Sequence, residues 1–421
     1  MKLQNIYNVL ECEESEKKFI SMYGRIHNAP ARYRSLLENF EERYGKDRSV
    51  LAVSSPGRTE ICGNHTDYNH GLVLAGAISL DTIAAAAPRD DSTVRIKSDG
   101  YDEIIFDIAG IKPGCAAPAT SESLAAGVLW ECRQSGYRTG GFDAVISSNV
   151  PAGLGLSSSA AFETLIVTII SHLYNDGTID AFHAARIACV AENKFFGKPC
   201  GLMDQLTCAA GGLLFMDFKD LQNPAVESLS CSFGEYRLFL TDTGGSHADL
   251  TDDYAAVTAE THRVAEILGK RSLRDVRFPE FQETLPALRA KIGDRALLRA
   301  YHFFTENIRV QAARDALQKG DLKTFLQSER ASGDSSYRYN QNCYSVTDPS
   351  HQGICLALAI SERVLGDEGA CRVHGGGFAG TIQAFVPSSL SRVYCSELER
   401  VFGQGSVHEC TIRSSGSVRV F

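Results

Sequence analysis

The chain has 421 residues, 44% of them hydrophobic and 22% charged, and a formal net charge of −9. That length exceeds what a single core usually organises, so two domains are expected, one over 1–230 and one over 231–421. The acidic balance without a Lys/Arg run excludes a nucleic-acid surface, and no apolar run reaches about eighteen residues, so no membrane span is expected either.

In chain order, residues 1 to 45 predict polar helices, and Met1 to Lys18 lacks an apolar signal core, so a cytoplasmic chain is expected. Short β-rich runs follow at 49–53, 73–77, 82–87, 93–98 and 143–147, with a helix over 123–135 among them. Helices dominate from 157 to about 196. Strands return at 212–217 and 236–241, then a helix over 252–268 and a long helical half continuing through 322–332 and 351–365, and a strand pair at 370–373 and 381–386. Strands gathered ahead of helices predict an α+β fold rather than regular βαβ alternation. Thirteen scattered cysteines without a Cys-x-x-Cys pair point to neither a zinc site nor a disulfide framework.

Three segments carry chemistry. Residues 151–161, Pro-Ala-Gly-Leu-Gly-Leu-Ser-Ser-Ser-Ala-Ala, place glycines and hydroxyls before an apolar helix. Glycine permits close backbone approach and a helix N-terminus favours an anion, which predicts a nucleotide phosphate cradle; a Ser-capped helix after a turn is the ordinary alternative. Pro56 to Gly71 packs Arg58, Glu60, Asn64, His65 and Asp67 between glycines. Arg58 would bring a fixed charge to a phosphoryl group, or is a surface turn residue. His65 and Asp67 are expected to alternate on one side of an extended stretch and to face sugar hydroxyls; a metal would need ligands that are not identifiable nearby. In the third segment, Gly201 to Gln205, apolar surroundings would desolvate Asp204 into a competent base, against a plain turn or cap role. Glu192, inside an apolar helix, suits Mg²⁺ or a solvated face. The Gly375–Gly380 run matches a dinucleotide fingerprint only formally, because too little chain follows it.

Together these segments resemble the galactokinases of the GHMP small-molecule kinase superfamily. Pro56–Gly71 is similar to the sugar-binding signature Pro-Gly-Arg-Val-Asn-Leu-Ile-Gly-Glu-His-Thr-Asp-Tyr-Asn-x-Gly, 151–161 to the phosphate loop, Cys200–Gln205 to Cys-Gly-Ile-Met-Asp-Gln, and Val373–Gly380 to a divergent third motif. The resemblance implies an N-terminal domain like ribosomal protein S5 domain 2, a ferredoxin-like C-terminal domain, and ATP-dependent phosphorylation of galactose or a close relative at its 1-hydroxyl. By the same resemblance Asp204 is the base and Arg58 the transition-state stabiliser. Asn64, His65, Thr66, Asp67 and Tyr254 fall on substrate-binding positions. Asp99, Gly153, Leu154, Gly155, Leu156, Ser157, Ser158 and Ser159 fall on ATP-binding ones, and Ser159 and Glu192 on Mg²⁺ ligands. A monomer or weak homo-oligomer with sugar and ATP as its only partners is expected.

The chain departs from the pattern where the family has Asn and then Glu. Here Glu60 and Asn64 stand exchanged, and the family's Glu accepts a hydrogen bond from the sugar 6-hydroxyl. Ala75 replaces a proline, and the residues after Tyr254 differ. Another sugar (N-acetylgalactosamine, arabinose or a uronic acid) and a non-catalytic sugar and ATP sensor are the alternative readings; the intact Ser157–Ala161 run weighs against the sensor.

Overall fold

In the computed structural model, which describes residues 1–421 apart from 25–27, 152, 154, 199 and 246–249, the polar N-terminal stretch forms helices α1 (Leu3–Val9), α2 (Glu13–Tyr23) and α3 (Ala29–Tyr44). Next come β1 (Leu51–Cys62), β2 (Leu72–Pro88), β3 (Thr93–Ser98), β4 (Ile104–Asp107), α4 (Ser121–Gln134) and β5 (Phe142–Ser148). Helices α5 (Ser158–Tyr174), α6 (Ala181–Ala191) and α7 (Met203–Ala210) follow, with a π turn at Glu192–Phe196 before α7, and then β6 (Leu213–Asp217) and β7 (Ala225–Leu229).

These strands form one sheet in the order β12-β1-β2-β5-β3-β4, in which the short β12 (Val418–Arg419) comes from the far end of the chain and β6 and β7 extend from one half of β2. Every pairing is antiparallel except β3 with β5. Both faces are covered. Along β2, Ala84 and Ala86 pack toward Leu165, Ile169 and Val128, whereas Ile83, Ala85 and Ala87 pack toward Phe19, Tyr33 and Phe40 of the N-terminal helices. Alternate residues thus enter two cores, which is why the strand reads as a continuous apolar run instead of an alternating one.

The second half begins with β8 (Tyr236–Asp242), α8 (Thr251–Ile267), α9 (Phe278–Arg289), α10 (Asp294–Lys319) and α11 (Leu322–Ser335), the last running into a π turn at Ser336–Asn340. It continues through α12 (Gly353–Leu365), β9 (Ala370–Val373), β10 (Thr381–Pro387), α13 (Ser391–Phe402) and β11 (Val407–Cys410). A four-stranded antiparallel sheet, β11-β8-β10-β9, carries this half. Leu238 and Leu240 pack with Phe325 of α11, and Phe239 between them packs with Tyr394 and Leu398 of α13. The result is the α+β arrangement that the element order predicts. No described helix is long and apolar enough to cross a membrane.

Three differences from the sequence reading have physical causes. The runs at 73–77 and 82–87 are one strand, because the polar Asp81 between them is fully buried in a hydrogen-bonded cluster and does not mark a turn. The short elements β4, β7, α7, α13, β11 and β12 were not expected; four of them pair along sheet edges, where apolar periodicity is weak. Residues after β11 return to the first sheet, with Arg413 N–H bonded to Ala77 O at 2.8 Å and Val420 N–H to Ala52 O at 2.7 Å.

Candidate active site

Strand β1 changes register against β2 between Pro56 and Arg58, and this bulge sets the direction of the Arg58 side chain. A Cβ at Gly57 would lie 2.9 Å from Leu156 O, so only glycine lets the 151–157 segment come down on the strand, where Arg58 N–H bonds Leu156 O at 3.3 Å. Arg58, 5% exposed, grips Asp204 with both arms of its guanidinium, Nε to Oδ1 at 2.7 Å and Nη2 to Oδ2 at 2.9 Å, while Nη1 donates to Gly155 O at 2.5 Å. Ser157 adds a third contact, Oγ to Asp204 Oδ2 at 2.5 Å. Three segments distant in sequence therefore converge on one carboxylate in the first turn of α7.

Desolvation does not set the charge state of Asp204 as expected. Burial pushes the carboxyl up, but the Arg58 charge, the hydrogen bonds from Arg58 and Ser157, and Lys198 outweigh it and hold Asp204 below the ordinary carboxylate range. The group is an anion at neutral pH.

Ser157 is the N-cap of α5 in a left-handed conformation (φ 59°), and its hydroxyl is spent on Asp204 instead of capping the helix. The first N–H groups of a 17-residue helix thus have no side-chain cap at that position, and the helix follows a loop whose Gly153 and Gly155 are both at positive φ. Leu156 anchors the loop in the core at 1% exposure, and Leu154 lies outside the described residues. In the first turn of α5, Ser159 Oγ donates to Glu192 Oε1 at 3.0 Å. Glu192 starts the π turn, is 2% exposed, accepts from Gln205 Nε2 at 2.6 Å and lies 3.6 Å from Lys198 Nζ. Such π turns recur where a side chain must be re-aimed at a site. Asp99 stands exposed just past β3, bonded through its N–H to Ile146 O of β5; among the described residues no contact links its side chain to the Arg58–Asp204 cluster.

The segment after β1 is a tight turn and not the extended stretch expected. Gly63 and His65 both have positive φ, and Asp67–Asn69 is a 3₁₀ turn, so alternation does not place His65 and Asp67. Thr66, fully buried, spends its hydroxyl on Gly63 O and Leu72 O at 2.7 and 2.6 Å and acts as the strut of the turn. His65 Nε2 donates to Gly376 O at 2.7 Å, so its Nδ1 accepts from the Tyr68 hydroxyl; burial drives its pKa down to about 3 and the ring is neutral. Tyr254 lies 6.2 Å from the His65 ring and donates to Gly377 O at 2.8 Å. Asp67 adjoins Gly201, where any Cβ would collide with its Oδ2. Burial and then the Asp204 charge push the Asp67 carboxyl up to about 7.

Several residues that sequence reasoning missed hold this turn. His302 Nε2 bonds Asn64 O at 2.9 Å, Glu306 accepts from Gly63 N–H at 3.0 Å, and Arg372 pairs with Glu60 at 3.2 Å. They come from α10 and β9, hundreds of residues away. Arg372, a lone charge in the apolar strand β9, could have been flagged by its type; His302 and Glu306 lie in a charge-rich helix and carry no such signal.

A family model described as the galactokinase galactose-binding signature matches residues 38–88, and one described as the GHMP kinases N terminal domain matches 123–212. A galactokinase of Streptomyces coelicolor is 32% identical over 358 residues, which is 84% of this chain and 88% of that protein. The fold is similar to that of Lactococcus lactis galactokinase complexed with galactose (TM-score 0.81, 24% identity, 92% of this chain and 100% of that one). It is also similar to Methanococcus jannaschii mevalonate kinase (TM-score 0.64, 14% identity, 86% and 98%).

Proposed function

The chain belongs to the galactokinase family, and on that premise we propose that it transfers the γ-phosphoryl group of ATP to the 1-hydroxyl of galactose, giving galactose 1-phosphate and ADP. The observation that supports this reading most directly is the meeting of Arg58, Asp204 and the Ser157 end of α5 within hydrogen-bond distance. The loop Gly153–Ser159 would cradle the triphosphate at the helix N-terminus, and Asp99 would lie toward the adenine. Tyr254, His65 and Asp67 would border the sugar. Ser159 and Glu192 offer hard oxygen donors 3.0 Å apart beside that loop, a set that fits Mg²⁺. Bound there with the nucleotide, Mg²⁺ would neutralise phosphate charge.

Phosphoryl transfer passes through a loose transition state, so positioning and charge matter more than base strength. An already ionised Asp204 suits that demand: it accepts the proton of the 1-hydroxyl as the new O–P bond forms and the bond to the ADP oxygen breaks. As the phosphoryl group arrives, Arg58 turns part of its charge toward it. Weakening the Arg58–Asp204 pair raises the basicity of Asp204 at the moment a proton must be taken. A division near residue 230, a monomeric or weakly associated state and a cytoplasmic location belong to the same proposal.

The test is Asp204→Asn with ATP and galactose. Sugar-dependent ADP release is expected to fall at least about 10³-fold, because both base and charge alignment are lost. Release near the wild-type rate removes Asp204 from the base role, and a panel of free sugars in the same assay ranks the acceptors.

A further inference from the structure

We propose that Asn64 reads no sugar hydroxyl, so that the enzyme phosphorylates galactose lacking its 6-hydroxyl nearly as well as galactose. The inference rests on the galactose reading above and on position 64 lying at the C6 end of the sugar. What carries it is the saturation of one side chain.

A carboxamide has two N–H donors and two acceptor lone pairs. In Asn64, Nδ2 donates to Glu60 Oε1 at 3.0 Å and to Gly375 O. Its Oδ1 accepts from Asn342 Nδ2 at 2.6 Å and from Ser336 Oγ at 3.3 Å. All four positions are taken by protein, and the residue is 0% exposed. Rotating the amide would set its nitrogen against the Asn342 amide donor and its oxygen against the Glu60 carboxylate and the Gly375 carbonyl, so the orientation is determined. The backbone is engaged as well, since Asn64 O accepts from His302 Nε2 at 2.9 Å.

For a ligand hydroxyl to bond Asn64, one of these partners would have to be left unpaired in a buried place, a penalty that cancels the gain. The exchanged carboxylate does not take over the task. Glu60 is 3% exposed, accepts from Asn64, and faces the fully buried guanidinium of Arg372 at 3.2 Å. A glutamate at 64 would have no hydrogens to give Gly375 O and would keep acceptor capacity for a ligand. The asparagine instead ties the turn of the first sheet to the Gly375 loop and to Ser336 and Asn342, at the start of and just past the π turn after α11. The pair at 60 and 64 has become a strut between the two halves of the molecule.

The consequence is a specificity statement. A pocket that hydrogen-bonds a substrate hydroxyl rejects the analogue lacking it by about 10⁴–10⁵, because its own buried groups are left unpaired; a pocket that makes no such bond has nothing to lose. The 6-deoxy analogue keeps the carbon and its apolar contacts and changes only the hydroxyl.

The experiment compares kcat/KM for galactose and 6-deoxygalactose in the wild-type enzyme and in the double variant Glu60→Asn/Asn64→Glu. The expected wild-type ratio is below about tenfold, and the double exchange is expected to raise it at least about tenfold by restoring a free acceptor. Galactose turned over with a wild-type ratio above that limit overturns this inference alone. An active double variant with an unchanged ratio does so too. The wild-type arm stands by itself if the variant does not fold. If neither sugar is phosphorylated while another sugar of the panel is, the galactose reading falls and this inference with it.

Discussion

Two aspartates in this molecule have nearly the same partners and opposite fates. Asp81, in the middle of β2, accepts from Ser54 Oγ at 2.5 Å, Tyr23 Oη at 2.6 Å, Arg32 Nη1 at 2.8 Å and Arg413 Nη1 at 3.3 Å. Asp204 accepts from Ser157 Oγ and both arms of Arg58. Each is a carboxylate held by arginine and serine from remote segments. Yet the Asp81 side chain is 0% exposed, whereas that of Asp204 is 26% exposed. The first cluster is closed on every side and clasps α2, α3, β1 and the C-terminal tail onto one strand. The second is open on one side, which in the proposed reaction admits the substrate hydroxyl. An ion pair alone does not identify a site; what sets the Asp204 pair apart from the Asp81 cluster is that one of its sides is unfilled.

Breaking each cluster in turn tests that contrast. Asp204→Asn is expected to have the largest effect on catalysis, about 10³-fold or more in kcat, with a smaller shift in the urea midpoint than Asp81→Asn. Asp81→Asn removes one partner of a fully buried pair and is expected to cost about 3–5 kcal/mol of stability, while the kcat of the folded fraction stays at the wild-type value. Denaturation followed by steady-state kinetics on both variants checks the pair of statements, and a loss of kcat in Asp81→Asn would erase the distinction. Ser157→Ala removes one charge-assisted hydrogen bond to Asp204 and is expected to lower kcat by about ten- to a hundredfold, in line with roughly 1.5–3 kcal/mol for such a bond.

The smallest expected effect is a pH dependence at Asp67, whose carboxyl feels the Asp204 charge. Its carboxyl is pushed up to about 7, so the folded protein binds a proton there that the unfolded chain has released. The stability this contributes is present below the ordinary Asp range and is lost as pH rises through about 7. Ionisation gives Asp67 its full acceptor capacity for sugar hydroxyls. Sugar KM is therefore expected to fall a few-fold from pH 6 to pH 8 in the wild type and to stay flat in Asp67→Asn, while the ATP KM stays constant in both. A sugar KM that is level across that range in the wild type removes Asp67 from the pocket.

Much of the site was legible because its chemistry is local. The glycines and serines of 151–161 and the Gly201–Gln205 segment carry their proposed roles in composition and adjacency, and the α+β class follows from the order of strands and helices. Where the reading depended on backbone shape it failed. His65 and Asp67 were placed by strand alternation, but positive φ at Gly63 and His65 makes the segment a turn. Where it depended on net electrostatics it failed as well: burial of Asp204 was legible, but the two arms of Arg58 that outweigh it arrive from 146 residues away.

The sequence by itself determined the family, the phosphate-loop composition, the candidate base and the exchange of residue types at 60 and 64, because each is written in neighbouring residues whose backbone and side-chain chemistry need no distant partner. Only the tertiary structure decided that Asp204 is an anion gripped by Arg58, that Asn64 is saturated and Thr66 a strut, and that the C-terminal tail closes the first sheet. Those outcomes are set by burial and by hydrogen bonds between residues that meet only when the sheets and helices pack, and the free energy of a buried polar group depends on which partners reach it.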